Sequence, residues 1–152
     1  MSPRRDTHTL DLFAWEPPTV VERFAEPSVR AASWRDRVAR AVRETLDATK
    51  MPRDAVAEEM SAWLGEDVPR AMLDAYASLA KSEHTISFLR VIALGVVTGD
   101  PRLLQLAAET LGRAVIESRY VGAIEEAMAV EAIEQMERVR RQGRRRWKGG
   151  GR

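Results

Sequence analysis

Between residues 31 and 141, apolar side chains recur at steps of three and four, the period of an amphipathic helix. Proline, glycine and short polar residues punctuate that pattern. In residues 31–49, Trp34, Val38, Ala41, Val42 and Leu46 form one stripe, with Ser33 as N-cap and Asp36 in the first turn. Lys50-Met51-Pro52 closes this helix, because proline disfavours helical geometry in the residue before it. A second helix is predicted from about Arg53 to Leu64, burying Val56, Ala57, Met60, Trp63 and Leu64, with Gly65 as a left-handed C-cap. Asp67-Val68-Pro69 starts a third helix, with Asp67 or Val68 at the cap and Pro69 in the first helical position. It carries Met72, Leu73, Tyr76, Ala77, Leu79 and Ala80. So few residues separate the second and third helices that they must cross steeply, as in a helix-turn-helix. Residues 52–80 are therefore the predicted centre of the fold.

A fourth helix, about residues 87–98, is apolar nearly all round and is predicted to be the central buried helix. Gly95 within it allows close approach of a neighbour. Gly99-Asp100-Pro101 ends it and starts a fifth, with Asp100 capping and Leu103, Leu104, Leu106, Ala107 and Leu111 inside. Residues 113–118 read equally as extended or helical. From Tyr120 to about Arg141 runs one long helix, acidic first and basic at its end, which complements the helix dipole. Its stripe of Tyr120, Ile124, Ala127, Met128, Ala132, Met136 and Val139 either pairs with a second copy, giving a homodimer, or folds back on the core. Residues 1–30 contain Pro3, Pro17, Pro18 and Pro27 and no sustained period, so an extended or disordered arm is expected. The predicted organisation is an arm (1–30), a helical core (31–118), a long C-terminal helix (119–141) and a basic flexible tail (142–152). The fold class is all-α, with five or six helices around the helix-turn-helix.

Composition agrees: 45% of the 152 residues are apolar and 31% charged, as expected for amphipathic helices with wet outer faces. The absence of cysteine removes disulfides, thiolate metal sites and cysteine nucleophiles. No apolar run approaches the roughly 20 residues needed to span a bilayer, and no apolar segment of signal-peptide type follows the N-terminal arginines. A cytoplasmic location without a membrane partner is the expectation. His8 and His84 are isolated, no ligands stand at metal spacing, and no glycine-rich phosphate loop is present. No cofactor, no metal and no enzymatic activity are expected.

A net charge of +1 steers nothing as a whole, but the charge is unevenly placed. Residues 138–152 hold eight arginines or lysines and no acid. Arg140, Arg141, Arg144, Arg145 and Arg146 surround Trp147, a pattern suited to nucleic acid: cations neutralise phosphates and an indole stacks. Arg35 and Arg40 on the first helix are further candidates for phosphate contact. In the helix-turn-helix, the N-terminal residues of the third helix would meet the bases. Among Pro69, Arg70, Ala71 and Asp74, only Arg70 is a strong donor, and Glu66 and Asp67 lie close by. Double-stranded DNA is the partner these residues imply.

The arm holds one apolar island, Thr9-Leu10-Asp11-Leu12-Phe13, with Trp15 just after. Such a cluster docks somewhere, on this chain's own helices or on another protein. It resembles the bacterial sliding-clamp-binding pentapeptide, Gln-Leu-Ser/Asp-Leu-Phe, with Thr9 in place of the glutamine. That resemblance implies a host sliding clamp as partner, bound through Leu10, Leu12 and Phe13, and Trp15 just after is a further docking candidate. The segment from Val97 to Gly112 (VTGDPRLLQLAAETLG) resembles a block in small phage regulatory proteins of the CII type. There a helix-turn-helix precedes a helix ending in Thr-Gly-Asp, then Arg-Leu-Leu and Leu-Gly. Residues 51–116 are similar to proteins encoded by Mu-like transposable phages. The resemblance implies a phage-type DNA-binding regulator of transcription, transposition or replication. The alternative is an adaptor that docks a host replication protein through the arm.

Overall fold

A computed structural model describes residues 19–81 and 83–149. The chain divides into two units, Met1–Val115 and Ile116–Arg152. All regular structure among the described residues is helical. The first unit contains α1 (Glu26–Val29), α2 (Trp34–Ala48), α3 (Arg53–Leu64), α4 (Arg70–Tyr76), α5 (Phe88–Thr98) and α6 (Arg102–Thr110). The second contains a single 3-10 turn (Ser118–Tyr120) and α7 (Val121–Gly149).

The helix boundaries follow local chemistry. Ser33 Oγ accepts the backbone N–H of Asp36 at 3.1 Å and caps α2. Gly65 ends α3 and Gly99 ends α5, each at φ 70°, where a Cβ would be strained. Pro101, expected in the first helical position, takes the N-cap of α6, and Asp100 just before it accepts the Arg102 N–H at 2.9 Å. Pro69 itself takes the N-cap of α4, one residue later than the sequence pattern places it. The turn between α3 and α4 is stapled by Ser61, whose hydroxyl donates to the Ala57 carbonyl at 2.7 Å and accepts the Val68 N–H at 2.9 Å.

The core draws on every helix of the first unit: Val29, Val42, Leu46, Val56, Met60, Val68, Leu73, Leu94, Leu103 and Leu106 are buried in one cluster. Each fully buried side chain of this size contributes about 1.5–3 kcal/mol. Gln105 is also buried; its side chain accepts the Val115 N–H at 2.7 Å and donates to Glu109 at 2.9 Å. These bonds tie the extended residues after α6 to that helix.

Several expectations are corrected. Over its described residues, 19–30, the arm is not wholly extended or disordered. It forms α1, buries Val29, and packs Phe24 on the core beneath the Arg102 guanidinium, 4.6 Å from the ring centroid. Ion pairs Arg23–Glu109 (2.6 Å) and Arg37–Glu26 (2.7 Å) hold it further. Helix α5 is not buried all round: only Ala93 and Leu94 are, while Phe88 is 71% exposed and Leu89 and Val96 are also exposed. A unit this small closes one stripe of α5, and its other apolar residues face outward. Trp34 and Trp63 likewise lie 56% and 47% exposed rather than inside. Helix α4 stops at Tyr76 instead of reaching Ala80. There Arg43 of α2 donates to the Ala77 carbonyl at 3.0 Å, and Arg35 reaches the Leu79 carbonyl at 3.4 Å. Cations at a helix C-terminus satisfy its orphan carbonyls and its dipole. Finally, α7 runs through Gly143 to Gly149 instead of ending near 141 before a flexible tail. Arginine and lysine are good helix formers, and one internal glycine costs only about 1 kcal/mol.

Candidate nucleic-acid interface

The residues with the chemistry to hold nucleic acid fall into two groups, one in each unit. In the first unit they surround the α3–α4 pair. Helix α4 buries Leu73, Ala75 and Tyr76 and leaves Arg70 and Ala71 exposed at its start. Arg70 Nη1 lies 2.9 Å from Asp54, and its Nε lies 3.6 Å from Asp74, one turn on. Asp74 also takes Arg53 at 2.6 Å, and Arg53 reaches Asp47 at 2.9 Å. The guanidinium of Arg53 is held further toward its charged form first by the hydrogen bond to Asp74, then by that to Asp47. Glu66, in the turn, pairs with Arg90 at 2.9 Å, and Arg90 also donates to the Tyr76 hydroxyl. Charge around α4 is thus balanced within the unit. A phosphate or base edge must compete with Asp54 and Asp74 for Arg70. Both Arg70 and Asp54 are more than half exposed, so that competition is against a weak pair of at most about 1 kcal/mol.

The two α2 candidates differ from each other. Arg35 is engaged with Asp36 and with the Leu79 carbonyl, an architectural use that periodicity did not indicate. Arg40 is half-buried, and its Nε has no hydrogen-bond partner among the described residues.

The second group lies on α7. Every residue of this helix is exposed, and its last eleven positions carry Arg140, Arg141, Arg144, Arg145, Arg146 and Lys148. Arg138 and Arg141 make one-turn pairs with Glu134 (3.3 Å) and Glu137 (3.9 Å). Among the described residues, Arg140, Arg144, Arg145, Arg146 and Lys148 have no carboxylate within ion-pair distance. Arg141, Arg144, Arg145 and Lys148 recur at three and four and so share one side of the helix. Trp147, 80% exposed, stands among them. Leu10, Leu12, Phe13 and Trp15 lie outside the described residues.

Two concavities escape sequence reasoning because helices distant along the chain make them. A polar cleft of about 390 Å³ includes Thr19, Glu22, Asp100 and Arg102. Burial pushes the Asp100 carboxyl up, but hydrogen bonds from the Arg102 side chain and backbone outweigh it and hold the group below its usual range. An apolar groove of about 470 Å³ lies among α2, α5 and α6, lined by residues including Trp34, Val38, Phe88, Val91 and Leu104. Among the described residues, no three histidines or carboxylates gather as a metal site, and no helix is long and apolar enough to cross a membrane.

The chain matches no protein-family model, and no curated protein or solved structure matches it.

Proposed function

We propose that this protein binds double-stranded DNA as a small regulator, with the basic end of α7 supplying most of the affinity and the α3–α4 pair acting as a lean helix-turn-helix. The observation that supports this reading best is the set of arginines at 140 and 144–146 with Lys148. They are exposed, free of carboxylates among the described residues, and gathered around an exposed indole. Neutralising phosphates with such cations releases counterions, which drives association and makes it salt-dependent. Arg70 adds one donor, already shared with Asp54 and Asp74, so most of the binding energy is independent of sequence. The resemblance of residues 97–112 to phage regulatory proteins supports the regulatory class.

The test is fluorescence anisotropy with a labelled duplex over a salt series. The full chain is expected to show a steep linear fall of log affinity with log salt. Replacing Arg144, Arg145 and Arg146 together by alanine is expected to reduce that slope by about two to three. Arg70→Ala is expected to change affinity by less than about threefold. Binding that is absent, or present with no salt slope, overturns the reading.

A further inference from the structure

Helix α7 is 29 residues long with no buried side chain, and it exposes Ile124, Met128, Ile133, Met136, Val139 and Trp147. A rise of 1.5 Å per residue makes it about 43 Å long. Its charge is split. Glu125, Glu126, Glu131, Glu134 and Glu137 occupy the first part, and the seven cations between Arg138 and Lys148 occupy the last. Only Glu134 and Glu137 are paired within the helix; Glu125, Glu126 and Glu131 have no cation within ion-pair distance among the described residues. An apolar stripe with unpaired acid at one end and unpaired base at the other complements itself when reversed.

We propose that α7 pairs with α7 of a second copy in antiparallel orientation, about a twofold axis near Gln135. The geometry follows from 3.6 residues per turn. In a register where facing residue numbers sum to about 271, the stripe makes layers of Ile124 with Trp147, Met128 with Gly143, and Ala132 with Val139, while Glu125 and Arg146, each five turns from Gly143 and Met128 respectively, lie on the same stripe and face each other across it. The large side chains meet small ones in the inner layers, and the two Met136–Gln135 contacts sit at the centre. The same register matches the charges. Glu131 and Arg138 are about two turns apart and share one flank of the stripe. Glu126 and Arg144 are about five turns apart and share the other. A twofold antiparallel pair sets each flank against the same flank of its partner. Glu131 therefore meets Arg138 of the second copy, and Glu126 meets its Arg144. Parallel pairing does the opposite: it sets the basic end against itself and the glutamates against glutamates, with like charges throughout. Arg141, Arg145 and Lys148 face away from the stripe and stay open to phosphate in the antiparallel pair, whereas Arg144 and Trp147 are engaged by the partner helix, so pairing leaves the first three to carry the DNA contact.

The full chain tests this without nucleic acid, so its outcome is separate from the DNA-binding measurement. Light scattering after size exclusion is expected to give twice the 17.1 kDa chain mass. The absence of cysteine makes single substitutions clean probes of register. Met128→Cys and Gly143→Cys are each expected to stay unlinked alone and to form a disulfide when mixed, whereas Gln135→Cys links to itself. Glu126→Arg with Glu131→Arg is expected to weaken association by roughly tenfold or more. Mixing that variant with Arg138→Glu, Arg144→Glu is expected to restore a heterodimer. These positions are exposed, so an unchanged thermal midpoint of the first unit controls for folding. A monomer at every accessible concentration overturns the proposal. Self-linking of Met128→Cys overturns the antiparallel arrangement, as does association insensitive to charge reversal.

Discussion

Asp100 shows how one side chain serves both helix start and tertiary packing. It accepts the Arg102 backbone N–H and holds the Arg102 guanidinium, which covers the Phe24 ring. Its folded pKa lies below the unfolded value. Its stabilising contribution is therefore present above about pH 4 and is lost as pH falls through the folded pKa below that. Urea unfolding across that range is expected to show Asp100→Asn with lower stability at neutral pH and a flatter acid limb. Gly95 gives a second residue-scale prediction. A Cβ there would lie 3.3 Å from the Asp100 carbonyl. Gly95→Ala gains about 1 kcal/mol of helix propensity against that tight contact and is expected to be near neutral. Gly95→Val gains less helix propensity and adds more bulk at that contact, and is expected to lose about 1–3 kcal/mol by the same measurement.

At the scale of elements, the arginines of α2 illustrate how a face that reads as solvated becomes structural. Arg43 donates to the Ala77 carbonyl just past α4, and Arg35 reaches the Leu79 carbonyl. Arg43→Ala is expected to cost about 1 kcal/mol in denaturant unfolding. Arg43→Lys is expected to recover part of it, because an ammonium keeps the charge but not the planar fork. The short α4 follows from the same contacts, since arginines from another helix satisfy carbonyls that a longer helix would have bonded internally. In α7, by contrast, local propensity alone accounts for the extension to Gly149: its side chains are all exposed, and its basic end lies where the dipole favours cations.

At the scale of the whole molecule, the buried cluster lies entirely within the first unit, and α7 buries nothing. A chain ending at Val115 is therefore expected to unfold cooperatively with a thermal midpoint within a few degrees of the full chain, measured by circular dichroism. In the same truncation, salt-dependent DNA binding is expected to fall to the weak level that Arg70 and its neighbours support. A large drop in the midpoint would show that the helix stabilises the first unit.

The all-α class and the starts of α2, α3, α5 and α6 are legible in the local sequence. Caps, glycines and prolines act within a few residues, so Ser33, Gly65, Gly99 and Asp100 could be read locally. The basic end of α7 was legible for the same reason: its cations are close neighbours along the chain. Burial and partnership between distant segments are not legible locally, because they depend on which side chains folding brings together. A stripe on α5 does not say how much of it the unit can cover, and an arginine does not say whether a carbonyl 34 or 44 residues away will take it. Arg35 became a helix-end contact, Arg70 acquired two carboxylate neighbours, and residues 24–29 joined the core because of side chains that folding brings together from far along the chain.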